Sequence, residues 1–356
     1  MKPVYYYANH IYQFSYALPL YNTIGGVFVV RDLWRLWSFL RFFRGLARDG
    51  KTPFLKTPRV IVRSREKLAG LDGILVFFSN SIVPGDDYSR SITIFHEHGT
   101  SDKRYGGKAH EEARAKLSAY DTIFLSGPKN RRRLEDMQLR LPEEKLVNIG
   151  GFRIDEYLKG NYSREREYER LKITDRSRKN ILYAPTWRFG KGTLKKYGLR
   201  FAREITRKHN LIIRPHYHDQ KYSCLLKLQC ALAGVKHVYF SNASNIIKQD
   251  TFNDFVIADL MISDMSSVIY EFLIMGKPVI IVKNDFDNCH QMPKEMDIMQ
   301  NADLFEEGDD ILRLVDENLA NPRFVETYRK MARASFYTEG SAVQRAADFI
   351  RKLAVE

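Results

Sequence analysis

Several residue types that phosphoryl chemistry uses stand just where hydrophobic runs end in this chain. His98 lies in IFHEHGT, directly before Gly99 and Thr100. A neutral imidazole with an ordinary pKa of about 6.5 takes a proton from a hydroxyl near neutral pH, so His98 is the candidate general base. Arg214 and His216 flank Pro215 in LIIRPHYH, and the pyrrolidine ring fixes the backbone between them. Thr186 and Arg188 occur in KNILYAPTWR, and Asp264, Ser266, Ser267 and Glu271 in DLMISDMSSVIYEF. Fixed donors stabilise the charge that develops on a transferring phosphate, and Arg214, His216, Ser266 and Ser267 are of the types that supply them.

These residues need elements to hold them. The segment 259–281 contains a short buried strand (260–262), a hydroxyl-rich turn (263–267), a helix (268–275) closed by Gly276 with Pro278 beyond, and a second strand (279–282). A turn that opens a helix behind a strand presents free backbone N–H groups and the positive end of the helix dipole, which suits a pyrophosphate. Asp264 or Ser266 would cap a helix in any βαβ protein, so the turn alone does not decide. The pattern recurs, however: strand 180–183 runs into Thr186 and Arg188, and strand 211–213 delivers Arg214 and His216. Ligands of open parallel sheets sit outside the carboxyl ends of the strands, so the three turns are expected to share one crevice.

At 356 residues the chain suits two domains of about 150 residues each. In the first half, strand patterns at 4–8, 27–30, 60–62, 73–78, 92–95, 122–125 and 145–148 alternate with helical ones, the signature of a doubly wound sheet. The second half repeats this with strands at 180–183, 211–213, 238–240, 260–262 and 279–282. The charged, core-poor stretch near 161–178 suits a hinge. The expected organisation is therefore a domain at 1–155, a linker at 156–178, a nucleotide-binding domain at 179–340, and a final helix at 341–356 packing back on the first domain.

With these residues in view, the chain resembles the glycerophosphotransferases that use CDP-glycerol to prime or extend teichoic acids and related capsular polymers. YAPTWR, RPHY and SDMSSVIYEF look like that family's nucleotide-binding half, and His98–Gly99–Thr100 looks like the motif of its other half. The resemblance, jointly with the strand pattern, implies a GT-B-like α/β fold in which two doubly wound Rossmann-like domains face a cleft. It further implies transfer of glycerol phosphate, or a related polyol phosphate, from CDP-glycerol to a hydroxyl of a lipid-linked or glycan acceptor, with release of CMP, His98 acting as base and His216 as donor rather than base. Glu271 stands where the family often has Asp, and it would reach a ribose hydroxyl from a shifted position. No cofactor is implied; Mg²⁺ on the phosphates is compatible, although no DxD-like carboxylate pair marks a place for it. The alternative within the fold is a nucleotide-sugar glycosyltransferase or a UDP-sugar 2-epimerase. Two His-x-His pairs, His96 with His98 and His216 with His218, raise a zinc alternative that lacks the usual compact spacing and Cys or carboxylate support.

Lys and Arg outnumber Asp and Glu by 57 to 43, so anions are the expected partners. Nucleic acid is disfavoured, because RNP aromatics, zinc-finger spacing and a helix-turn-helix signature are all missing. Three cysteines, Cys224, Cys230 and Cys289, without paired spacing fit a reducing compartment. No apolar run reaches the roughly 18 to 20 residues of a spanning helix, and the first residues lack a signal-peptide core. Residues 31–48, RDLWRLWSFLRFFRGLAR, form an amphipathic helix pattern with Trp34, Trp37, Arg41, Arg44 and Arg48 on one arc and Leu36, Phe39, Phe43 and Leu46 elsewhere. Indole rings at headgroup level and arginines on anionic lipid would make it an interfacial helix. The expected location is thus the cytoplasm, peripheral on the inner face of the cell membrane.

Overall fold

The computed structural model describes residues 1–48, 58–97, 102, 107–187, 191–242, 250–285, 289–337 and 339–355. The chain forms two α/β units, the first made of residues 1–100, 104–158 and 335–356 and the second of residues 101–103 and 159–334. The first contains β1 (Val4–Tyr7), β2 (Val27–Val30), β3 (Val60–Val62), β4 (Gly73–Phe77), β5 (Ser91–His96), β6 (Thr122–Leu125) and β7 (Leu146–Asn148), in spatial order β3-β2-β1-β4-β5-β6-β7. Its helices are α1 (Ile11–Ile24), α2 (Leu33–Arg48), α3 (Gly107–Ala119), α4 (Pro128–Asp136) and α5 (Phe152–Leu158).

The second unit contains β8 (Asn180–Tyr183), β9 (Asn210–Ile213), β10 (Val238–Phe240), β11 (Leu260–Ser263), β12 (Val279–Val282) and β13 (Asp303–Phe305), in spatial order β10-β9-β8-β11-β12-β13. Its helices are α6 (Arg164–Leu171), α7 (Leu194–Ile205), α8 (Gln220–Leu232), α9 (Thr251–Ile257), α10 (Val268–Phe272), α11 (Ile311–Ala320) and α12 (Val325–Ser335); α13 (Ala342–Val355) returns to the first unit. Among the described residues every strand pairing is parallel. Parallel strands are covered by helices on both faces, which is why runs such as NILY and LMIS are buried throughout. Both sheets start centrally, wind one way and then cross to the other side, the doubly wound order with its switch point at β1/β4 and at β8/β11.

That order places β8 between β9 and β11. The register sets Tyr183 abreast of Ile213 and Ile262, so the chain leaves the three strands at nearly one level. Beneath them Phe201 stacks on Tyr197 with centroids 5.4 Å apart and meets Phe305 edge-on, which seats α7 against the sheet.

Four expectations are corrected. β13 was unforeseen, because three residues flanked by polar ones carry little periodic signal. The helix of the Ser-rich segment ends at Phe272, and a 3₁₀ turn, Leu273–Met275, reaches Gly276, whose φ of 60° suits the residue type that tolerates left-handed backbone. The expected linker 156–178 is no linker: α5 runs to Leu158 in the first unit, and residues 159–178 belong to the second. There the Arg164 guanidinium donates to both carboxylate oxygens of Asp259 at 3.0 and 3.2 Å. Arg164, Glu167 and Arg170 of this stretch are paired, while Glu165, Arg166, Glu169 and Lys172 are exposed. The returning segment begins at residue 335, earlier than 341, with Tyr337 N donating to Ser126 O at 2.8 Å and Val343 N to Asp155 Oδ2 at 3.0 Å.

Beside Asp259, Lys277 donates to Ala258 O at 2.5 Å, and burial, reinforced by Arg164, pushes its ammonium down to about 8. Between that value and the unfolded lysine's pKa the unfolded chain binds more protons, so stability rises with pH there. Chemical denaturation at pH 8 to about 9.5, below the tyrosine range, is expected to show this rise in the wild-type protein and a flatter profile in Lys277→Met.

Candidate active site

Asp264 links two of the three motifs. Its carboxylate has no exposed surface; Oδ1 accepts from Thr186 N at 2.7 Å, and Oδ2 from N and Oγ1 of Thr193, both at 3.0 Å. Thr193 Oγ1 lies 2.8 Å from the buried Tyr183 hydroxyl, so the loop after β8 is tied at both ends. Gly192 is required there, because a Cβ would stand 2.0 Å from Thr186 O. The expectation that Asp264 faces a ligand is corrected: a carboxylate repels a diphosphate, whereas among backbone N–H groups it finds the donors that its burial demands. Thr186 is buried, its amide committed to Asp264, and its residue position is thereby fixed.

Arg214 is likewise corrected. Instead of reaching outward from β9, its buried guanidinium donates through Nη1 to Asp254 Oδ2 at 2.5 Å and to Ser241 Oγ at 3.3 Å. A buried cation needs a carboxylate close by, and Asp254 on α9 supplies it. His216 is half-buried, and its Nδ1 accepts from His218 N at 3.3 Å, which leaves the proton of the neutral ring on Nε2 as a donor. The Trp187 indole stacks on His216 with centroids 6.0 Å apart and tilts against His218 at 5.2 Å, bringing the loops after β8 and β9 together.

In the loop after β11, Ser266 N donates to Asp264 O at 2.8 Å, and Ser266 and Ser267 are half-buried ahead of α10. Glu271 is buried on that helix. Its neighbour Tyr270 is almost fully buried and donates to the carboxylate of Asp102; desolvation, then that carboxylate, raises the phenol well above its ordinary value, so it stays protonated. Asp102 O also accepts from His290 N at 2.7 Å, which accounts for residues 101–103 belonging to the second unit.

His98 and Arg188 lie outside the described residues. In the first unit, the strand that leads to His98 ends at His96, buried among Tyr16, Phe78, Phe124 and Phe152, the last with centroids 4.4 Å away. Glu97 accepts from Arg133 Nη1 at 2.8 and 2.9 Å and from Asn130 Nδ2 at 2.6 Å, anchoring the end of β5 to α4. On α2, Phe39, Phe42, Phe43 and Leu46 are buried, while Trp34 and Trp37 are 68% and 52% exposed. Their rings stack 5.5 Å apart with the Arg41 guanidinium 5.5 Å over Trp37, and Arg44 is exposed on the same helix.

Trp187, Asp254 and the Tyr270–Asp102 pair were not foreseen as site residues. Asp254 left one legible trace: it shares the apolar stripe of Thr251, Phe255 and Ala258, where an acid needs a buried partner.

A family model described as CDP-Glycerol:Poly(glycerophosphate) glycerophosphotransferase matches residues 86–352. No curated protein matches the sequence. Among solved structures, a variant of the wall teichoic acid polymerase TagF is 18% identical, with a TM-score of 0.68 over 99% of this chain and 89% of that one. A TagF variant with CDPG is 17% identical, with a TM-score of 0.65 over 98% and 88%. Alr3699/HepE of Anabaena in complex with UDP-glucose is 11% identical, with a TM-score of 0.58 over 100% of each chain. At these identities the structures share the fold of two parallel-sheet α/β domains.

Replacing Asp264 by Asn turns one acceptor into a donor that faces N–H or O–H groups. Asp264→Asn is expected to lose about 2–4 kcal/mol of stability, read from urea unfolding, because buried donors are left unpaired.

Proposed function

The chain belongs to the CDP-glycerol:poly(glycerophosphate) glycerophosphotransferase family and is a CDP-glycerol glycerophosphotransferase; we propose that it extends or primes a teichoic acid or capsule-type polymer on a lipid-linked or glycan acceptor. The acceptor hydroxyl oxygen attacks the glycerol-bearing phosphorus of CDP-glycerol, the bond from that phosphorus to the bridging oxygen breaks, and CMP leaves. His98 takes the hydroxyl proton. His216, through Nε2–H, donates to the diphosphate together with Ser266 and Ser267, Arg188 adds positive charge, and Thr186 shapes the loop they share with it. Glu271 serves the ribose end. The observation that carries this reading is the convergence of the three motifs at the carboxyl ends of three adjacent strands, β9, β8 and β11, within the residues that the family model matches.

Release of CMP from CDP-glycerol, followed by chromatography with candidate lipid-linked acceptors, tests the reaction. His98→Ala is expected to lose turnover by at least about a hundredfold with CDP-glycerol affinity retained, since a general base contributes about that much. Intact turnover removes His98 as the base. A thermal shift with UDP-sugars in place of CDP-glycerol would instead favour a sugar transferase.

The lipid-linked acceptor gives α2 its purpose. Two exposed, stacked indoles next to Arg41 and Arg44 fit the headgroup layer of an anionic membrane, to which a chain of net charge +14 is drawn. Among the described residues no helix is long and apolar enough to cross a membrane, so attachment would be peripheral, on the cytoplasmic face where nucleotide donors are made. Trp34→Ala with Trp37→Ala is expected to abolish flotation with phosphatidylglycerol vesicles; unchanged flotation ends the idea.

A further inference from the structure

We propose that Asp254 is a positioning residue for the reaction, fixing the Arg214–Pro215–His216 turn through the Arg214 guanidinium. The proposal rests on the reading of His216 as a donor toward the CDP-glycerol phosphates. Asp254 has no exposed surface. Its Oδ2 accepts from Arg214 Nη1 at 2.5 Å and from Ser241 Oγ at 2.6 Å, and its Oδ1 accepts from Arg170 Nη2 at 2.7 Å. Ser241, just past β10, is itself held by its amide to Ile213 O at 2.9 Å. One carboxylate thus gathers α6, α9 and the ends of β9 and β10.

A second tier braces the first. Arg170 Nε donates to Glu167, whose Oε1 accepts from Asn253 Nδ2 at 2.6 Å, beside Asp254 on α9. Two arginines face two carboxylates, and the formal charges cancel. Arg214 therefore brings no net positive charge for a phosphate, and what it contributes is geometry. Proline 215 locks φ in the link between Arg214 and His216, so the place where the guanidinium is pinned governs where the imidazole departs from the strand. His216 then presents Nε2 from a fixed ring, and a donor that is already aimed needs no rearrangement during reaction.

Removing Asp254 alone would strand two buried arginines and endanger folding. The pair Arg170→Met with Asp254→Asn removes one charge of each sign and leaves an amide oxygen for Arg214 to donate to, and Ser241→Ala provides a second, milder variant. Adding Asp254→Asn to Arg170→Met is expected to lower kcat about tenfold or more below that of Arg170→Met, with KM for CDP-glycerol within about threefold of that single variant. In ¹⁵N-histidine-labelled protein the His216 ring signals are expected to move in Ser241→Ala, and to move further in the double variant than in Arg170→Met. Unmoved His216 signals in both variants overturn the inference, as does a double variant with the kcat of Arg170→Met. If the wild-type protein releases no CMP from CDP-glycerol, the functional reading fails by itself, and the ring signals still decide the positioning.

Discussion

The central place of β8 in its sheet is the constraint from which the rest follows. A parallel strand can have only two neighbours, and here they are β9 and β11, the strands that carry the other two motifs. Hydrogen bonding aligns the three carboxyl ends, so residues separated by dozens of positions in sequence emerge side by side. No side-chain contact needs to create that proximity. The side chains only refine it.

The refinement falls to buried acids. Asp264 binds the loop after β8 to the loop after β11, and Asp254 binds the end of β9 to α9 and α6. Each is completely buried, a position that costs several kcal/mol unless every charge is met by donors. Both carboxylates hold loops that carry site residues, and transferring a phosphoryl group asks for such fixed geometry: donors displaced by an ångström lose much of their effect. The aromatic contact of Trp187 with His216 and His218 adds shape to the same end without charge.

The two sheets and the carboxyl-end turns were legible in sequence, because β-branched runs bounded by Pro, Gly and Ser declare parallel strands even without alternation. The roles of Arg214 and Asp264 were not. Sequence shows that a residue follows a strand, but whether it points outward or folds into the interior depends on a partner elsewhere, such as Asp254 forty positions away. The segment 156–178 misled for the same reason: its charge density resembled a solvated hinge, while the acids that neutralise Arg164 and Arg170, Asp259 and Asp254, come much later in the chain. Short strands like β13 fail differently, since three residues hold too little periodicity to be seen.

The route of the backbone through the first unit has its own outcome. Lys2 N donates to Ala354 O at 3.0 Å, and α13 packs on α1, so this unit closes only when residues 335–355 are present. On the ribosome the order of completion is then inverted: the second unit, whose residues lie almost entirely within 159–334, has all its strands before the first has its last helix. Until then the side of α1 that α13 covers stays exposed.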